Sequence, residues 1–430
     1  MVDIKLIRKN PDLIRETVKN KKVDFDVDKL LAADERRRHV IQELETKRAE
    51  QNAGSRGGPK PPAEIEKLKK LKEEIKILEN ELGRVEEEFD QLMLQVPNVP
   101  SEDTPVGKSE NDNKVLREVG KMPQFDFKPK EHWELGRDLG VIDTEKAAEV
   151  SGARFAYLKG ALGLMQFALV QFVFGVVTDK GILKKIIKKA GLNLKPTTFI
   201  PVIPPVLIRP EVMQKMARLE PKEERYHIPS DDLYLVGSAE HTLGPMHMNE
   251  ILPEKELPLR YLGYSTAFRR EAGSYGKDMK GILRVHQFDK LEMESFCLSE
   301  DSTKEQDFFV AIQEYLMQAL QVPYRVVQIC TGDMGGPDAR QIDIECWMPG
   351  QNRYRETHTA DLMTDFQARR LDIKTKRGGK TEFVHMNDAT ALAIGRTIVA
   401  IMENYQTKKG TIVVPKVIRK WMMGEKEVRH

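Results

Sequence analysis

Nine apolar residues spaced alternately three and four apart constrain this chain more than any other feature: Leu68, Leu71, Ile75, Leu78, Leu82, Val85, Phe89, Leu92 and Val96. Held over more than three repeats, with Lys and Glu at many positions between, they form a heptad seam. Such a seam needs a partner helix. Upstream, Val27, Leu30, Ile41 and Leu44 give a weaker stripe with charged neighbours. Asn52 to Pro62, NAGSRGGPKPP, cannot continue a helix, and Pro97 and Pro100 end the heptad-bearing one. The pattern predicts an antiparallel helical hairpin over about 27–96, its second helix roughly 50 Å long. A hairpin of that length cannot be a compact domain, so it projects. Periodicity alone favours a dimerisation coiled coil or a rigid spacer.

The rest of the chain has a different texture. A length of 430 residues allows two or three domains, and 40% hydrophobic with 32% charged residues can bury a core and stay soluble. A net charge of +2 gives no global evidence for nucleic-acid binding, so any such contact must come from local patches. Cys297, Cys330 and Cys346 are too scattered for a disulfide framework and have no CxxC spacing, which argues against a cysteine zinc site and suits a reducing cytoplasm. The opening MVDIKLIRKN has charges throughout and no apolar signal segment. Ala161 to Val177 is the most apolar run, but it contains Gln166 and Gln171 and is short for a membrane span. A buried core helix is expected there, and no membrane partner. After a polar, Pro-containing linker from about 97 to 129, helical and strand patterns mix. Leu233–Val236, Val326–Cys330 and Ile342–Trp347 read as strands; Asp307–Ala319 and Ala391–Glu403 read as helices. The Gly-rich pieces match neither the P-loop nor the dinucleotide fingerprint, so phosphate binding must rest on arginines.

Phe268 to Glu292 supplies them. Arg269, Glu271, Arg284, His286, Gln287, Phe288 and Glu292 flank a loop with Gly273, Gly276 and Gly281. Polar alternation at both ends suits a hairpin, with Arg269 and Glu271 on one strand facing Arg284, His286 and Phe288 on the other. Guanidinium forks match phosphate oxygens, an aromatic ring stacks on a base, and a carboxylate reads an amino group. A solvated charged hairpin is the plain alternative.

The ordered run FRREAG, GKD, RVHQF resembles motif 2 of class II aminoacyl-tRNA synthetases, in the form found in seryl-tRNA synthetases. FVHMNDATALAIGR (383–396) is similar to motif 3 and PVIPPVLIRPEVM (Pro201–Met213) to motif 1, and the resemblance continues through GDMGGPDARQIDIECWMPGQ (332–351) and DFQARRL. It covers essentially the whole chain. It implies an α+β fold: residues 111–430 as a catalytic domain on an antiparallel sheet flanked by helices, and 1–110 as a tRNA-binding domain with the helical arm. The implied enzyme is an ATP-dependent serine–tRNA ligase, a cytoplasmic homodimer joined through motif 1.

The resemblance also implies residue roles. Arg269 holds the α-phosphate and the amino-acid carboxylate, Glu271 reads the adenine amino group, Phe288 stacks on the base, and Arg284 lies near the terminal phosphates. Arg396 packs on the far side of adenine and reaches the γ-phosphate. Glu356, with Thr359 where a serine normally assists, is the Mg2+ site; no zinc is implied. Ser238, Glu240, Arg269, Glu292, Asp388 and Thr390 form the serine subsite. On the arm Arg36, Arg37, Arg38, Lys47, Arg48, Arg56 and Lys60 are available for tRNA phosphates, with solvated salt-bridge partners as the plain alternative. His286 has a structural reading beside a catalytic one.

Three segments depart from the family wording: Ser238-Ala239-Glu240 for Thr-x-Glu, Asp388-Ala389-Thr390 for Asn-Gly-Thr, and Thr357–Met363 for a Ser- and Asn-rich run. All three surround the amino-acid and metal end, not the adenine. As an added acceptor, Asp388 predicts a higher serine KM on replacement by Asn. A ligase charging a carrier protein and a catalytically silent RNA-binding paralogue are the alternatives. The arm argues against the first, and the retained Arg269, Glu271, Phe288, Glu356 and Arg396 against the second.

Overall fold

The computed structural model describes residues 1–430 apart from 57, 59, 273–277 and 279, so Gly273 and Gly276 lie outside the described residues. Contacts divide the chain into two units, Met1–Val99 and Pro100–His430. The sequence places the boundary near 110. It falls earlier because Ser101 N donates to Ala339 O and Thr331 N to Pro105 O, tying 101–107 to the second unit.

In the first unit, α1 (Ile4–Lys9) and α2 (Pro11–Asn20) precede two long helices, α3 (Val27–Ser55) and α4 (Pro62–Gln95). Asp26 starts α3, its carboxylate accepting from Asp28 N and Lys29 N. The helices run antiparallel: partners descend along α4 as α3 ascends, from Arg36–Glu88 and Arg37–Glu86 to Lys47–Glu74 and Arg48–Glu79. Leu71, Ile75, Leu78, Val85, Phe89, Leu92 and Val96 are buried, while Leu68 and Leu82 are half-buried. On α3 the inward residue is Val40 rather than the expected Ile41; it packs with Leu44 against Leu71, Ile75 and Leu78. Helix α3 also continues through Asn52–Ser55 before the break, one turn beyond the predicted end. At its root, buried Asp34 accepts from Arg8 on α1 at 2.6 and 2.7 Å.

The second unit is built on an eight-stranded sheet: β1 (Lys114–Val119), β2 (Ile200–Val202), β3 (Leu259–Phe268), β4 (Gln287–Cys297), β5 (Tyr324–Gln328), β6 (Arg340–Met348), β7 (Arg353–Leu362) and β8 (His385–Ala393), in the order β1-β5-β6-β7-β8-β4-β3-β2. All neighbours are antiparallel except β2 beside β3. Helices α5 (Ala161–Val177), α6 (Ser302–Leu320) and α7 (Ile394–Asn404) share the main apolar core with this sheet. The fold is therefore α+β. Helix α5 is buried along most of its length, and no single helix among the described residues is long and apolar enough to cross a membrane.

Three boundaries shift from expectation. Ala391–Ala393 belong to β8, and the helix starts only at Ile394. The strand predicted from Val326 starts at Tyr324 and ends at Gln328. Leu233–Leu235 pairs in a separate three-stranded sheet.

Polar residues fix α6 to the sheet. Buried Arg260 of β3 makes a two-pronged pair with Glu305 at 2.6 and 2.8 Å. Gln306, the next residue, donates from Nε2 to Arg340 O and Ala360 O, and about two turns further on Gln313 Nε2 donates to Thr359 O and Thr390 O. Gln313 thus clamps the two strands that carry the site beneath the residues that form it.

Candidate active site

Two β-bulges decide which side chains converge. Residues three apart on a regular strand point to opposite faces. Between β6 and β7 the register slips, so that Glu345 opposes Glu356 while Ile344 opposes His358. The inserted residue turns Glu356 onto the face of Thr359. Between β4 and β8 a second slip pairs Leu291 with Leu392 but Glu292 with Thr390, putting Glu292 beside Thr390. A cavity of about 180 Å³ opens on this face, lined by Arg269, Glu271, Arg284, Phe288, Glu292, Glu240, Glu356, Thr359, Thr390 and Arg396 among others. It adjoins a larger cleft of about 940 Å³ that shares Arg284, Glu356 and Arg396.

The arginines are held, not loose. Arg269 follows the last residue of β3, its Nε donating to Gly237 O at 3.1 Å and its guanidinium 5.4 Å from the Phe288 ring. Arg284 pairs with Glu271 at 2.5 Å, and Arg396 Nη1 with Glu356 Oε1 at 2.9 Å. The expected single hairpin face is modified here. The strands end at Phe268 and resume at Gln287, and Glu271 takes a left-handed turn conformation at φ 53°. His286 does not join the arginines: its Nδ1 meets Arg269 O at 3.0 Å and its ring packs on Phe155 and Tyr226. Its place is structural. Gly281, at φ +74°, lies so close to His132 that a Cβ would sit 2.1 Å from Nε2, so only glycine closes the return of this loop.

At the other end of the cavity the charges are buried and crowded. Arg218 sits 2.8 Å from Glu240, 3.4 Å from Asp388, 3.7 Å from Asp361 and 3.9 Å from Asp338. Lys290 pairs with Glu292 at 2.7 Å. Burial raises the Glu240 carboxyl, but Arg218, Lys290, His241 and Arg269 together outweigh it and hold the group down at about 2. Glu292 is pushed up to about 7, because burial and Glu240 exceed what Lys290 returns. Ligand oxygens of Glu240, Glu292 and Asp388 lie within 4.8 Å of one another. Ser238 and Asp388 do not line the cavity: both are 1% exposed, with Ser238 Oγ accepting from Glu240 N and Asp388 beneath Arg218. Sequence reasoning missed Arg218, Lys290, Asp361 and Asp343. The alternation in LRVHQFDKLE and RQIDIECW carries a signal for Lys290 and Asp343; Arg218 sits in a loop with none.

A hard cation fits beside Glu356. Thr359 Oγ1 donates to Asp343 Oδ1 at 2.9 Å, and Asp343 is pushed well up by burial and by repulsion from Glu356. Glu356 itself is held low despite burial, by Arg396, Arg269 and Lys290. Two carboxylates and a hydroxyl on one face, repelling each other across the cleft, are the oxygen donors magnesium prefers.

Most of the arm cations are engaged. Arg36 pairs with Glu88, Arg37 with Glu86 at 3.6 Å, Lys47 with Glu74 at 2.8 Å and Arg48 with Glu79 at 2.8 Å. Arg38 pairs with Asp34 at 3.2 Å, and Lys60 lies 3.9 Å from Glu64. Arg56 makes no ion pair among the described residues.

An antiparallel sheet that carries arginines and carboxylates around one cleft defines a class II aminoacyl-tRNA synthetase core, and the family model for the tRNA synthetase class II core domain (G, H, P, S and T) matches residues 224–405. The seryl-tRNA synthetase N-terminal domain model matches residues 1–100. A serine–tRNA ligase from Thermodesulfovibrio yellowstonii is 39% identical over 98% of this chain and 99% of its own length. One from Thermobifida fusca is 42% identical over 97% of each. The crystal structure of seryl-tRNA synthetase from Pyrococcus horikoshii complexed with ATP superposes with a TM-score of 0.88 at 38% identity, covering 100% of this chain and 99% of that one. The chain belongs to the seryl-tRNA synthetase family.

Proposed function

We propose that this protein activates L-serine with ATP, forming seryl-adenylate and pyrophosphate, and then transfers serine to the 3′ end of tRNA(Ser). The observation that carries the reading is a cavity with guanidiniums at one end and the buried carboxyls of Glu240 and Glu292 at the other, in a chain of this family. Attack of a carboxylate on the α-phosphorus needs no protein nucleophile; it needs in-line placement and charge stabilisation. Arg269 stands between the two ends, where it meets both the serine carboxylate and the α-phosphate. Glu271 and Phe288 would take adenine, and Arg284 and Arg396 the outer phosphates, each leaving its present carboxylate partner. Glu240 and Glu292 take the serine ammonium, and Thr390 its hydroxyl. A site built around a hydroxyl rejects analogues lacking it, because its own polar groups are left unpaired. Mg2+ at Glu356, Asp343 and Thr359 would neutralise phosphate charge as it shifts to pyrophosphate.

The arm is the tRNA-binding element in this reading. Its inter-helix ion pairs are solvent-exposed and weak, so they exchange readily for tRNA phosphates. Homodimer formation is supported by the motif 1 segment: β2 is an edge strand, Ile200 is 49% and Ile203 84% exposed, and an apolar edge invites a self-complementary partner. Three buried, unpaired cysteines suit a cytoplasmic setting. Charging of an unfractionated tRNA pool tests the reading: labelled serine should become alkali-labile on RNA, and no other amino acid should. Charging of a carrier protein instead would overturn it.

A further inference from the structure

One buried carboxyl has no part in the chemistry above. Glu294, on β4 two residues beyond Glu292, is 0% exposed, and neither of its oxygens has a hydrogen-bond partner. Its register partner on β8 is Asp388, 1% exposed, so two carboxyls face each other across one rung of the ladder. The groups around this pair come from every neighbouring element: Glu240 from the short helix 240–243, Glu292 from β4, Asp361 from β7, Asp338 from the loop before β6, and Tyr261 opposite Glu294 on β3. Of the basic groups beside them, Arg218 is 3.4 Å from Asp388 but 2.8 Å from Glu240, Lys290 is paired with Glu292 at 2.7 Å, and the His241 ring lies 3.6 Å from Glu240.

Two adjacent buried carboxylates beside one already committed guanidinium cannot both ionise at ordinary cost. We infer that Glu294 and Asp388 share one proton across the β4–β8 ladder, and that this pair is a positioning device beneath the ammonium site. With one proton retained, the pair carries a single negative charge and Arg218 remains on Glu240. Burial and the surrounding acids hold both carboxyls well above their usual range, Asp388, Glu240 and Glu292 acting on Glu294, and Glu240, Glu292 and Asp338 on Asp388. When the proton leaves, the second charge draws Arg218 toward Asp388, and Glu240 loses the partner that keeps it ionised and oriented. Glu294 never touches substrate; it acts through Asp388, Arg218 and Glu240. The inference rests on the serine-activation reading for its kinetic consequence, but not for the proton itself.

The test is the pH dependence of serine-dependent ATP–pyrophosphate exchange in the full-length protein. The wild type should show a serine KM that climbs on the alkaline side by about tenfold per pH unit at its limit, with kcat unchanged. Asp388→Asn and Glu294→Gln each leave a single carboxyl. Glu294→Gln should keep a near-normal KM at neutral pH, and both variants should lose that limb, down to the rise caused by serine's own ammonium. The same limb in wild type and both variants would overturn the inference. A large neutral-pH rise in KM in Asp388→Asn would also overturn it, since an ionised Asp388 would then be the working acceptor. If Glu294→Gln does not fold, the Asp388→Asn profile still decides. Infrared difference spectra of the ligand-free protein provide the independent arm: the protonated-carboxyl absorption at neutral pH must be weaker by one carboxyl in Glu294→Gln than in wild type, because Glu292 and Asp343 contribute equally to both. If serine supports no exchange but the band behaves so, the function reading fails and the pair stands. If exchange is normal and the band is unchanged, only the pair fails.

Discussion

The arm and the sheet hold similar kinds of charge in opposite ways. On the arm, Arg48–Glu79 and Lys47–Glu74 join two helices through side chains that are 30% to 53% exposed. In the sheet, Arg218 is 15% exposed among four acids that are 10% exposed or less. Exposed pairs contribute about 0.2–1 kcal/mol each and weaken in salt. Breaking a buried pair by removing one partner costs about 3–5 kcal/mol. The first kind is therefore exchangeable and suits a polyanion that comes and goes. The second is fixed by strand register and suits a small substrate that must be placed within a fraction of an ångström. On the proposed reading, recognition of RNA and recognition of serine are kept in regions with different energetics, and perturbations should separate them.

The largest separation should come from Arg269→Ala, which lowers exchange about 10²- to 10³-fold, as loss of a preorganised charge at a transition state does. Binding of tRNA, measured by filter retention, should change little. A comparable loss of tRNA affinity would break the division. Next is deletion of residues 24–100: tRNA charging should vanish while serine-dependent exchange survives. Loss of both would mean that the arm supports the fold of the second unit.

A smaller effect is expected from Gln313→Leu. It strands the Thr359 and Thr390 carbonyls and should cost about 1–3 kcal/mol in denaturant unfolding. Serine KM should rise with it, because the clamped strands carry the site. The smallest comes from Lys47→Ala with Arg48→Ala. Stability should move by about 1 kcal/mol or less, while the KM for tRNA rises and the salt slope of binding falls by roughly one to two.

Protonation gives a further contrast. Glu292 has its folded value raised, to about 7, above its usual 4.5. A raised carboxyl stabilises the ligand-free fold at low pH, and that contribution is lost as pH climbs through about 7. On the proposed reading serine binding needs Glu292 ionised, so it should release a proton near neutrality. Titration calorimetry in buffers of different ionisation enthalpy reads this release directly; no buffer dependence would remove Glu292 from ammonium recognition.

Much of this was legible in the sequence where the signal was local. The heptad seam marked the hairpin, and FRREAG with RVHQF marked the arginines that line the cavity. What stayed hidden was non-local. Asp388 is visible as a departure, but its partner Glu294 is found only through the β4–β8 register. Glu356 and Thr359 share a face only because of a bulge that no residue type announces. Arg218 reaches four acids from a loop whose local sequence is unremarkable. Alternation alone leaves His286 open between a structural and a catalytic place, because it extends past the ends of the strands, which stop at Phe268 and resume at Gln287. Ile41 was placed on the seam by periodicity, and Val40 took that place because the helix pair fixes its own rotation.

The central claim is that this cavity activates serine. Amino-acid-dependent ATP–pyrophosphate exchange, with serine, threonine, alanine, glycine and cysteine side by side, tests it most directly. Strong exchange with serine and none above background with the others is the predicted result. Exchange driven by another of the five, or by none, would contradict it.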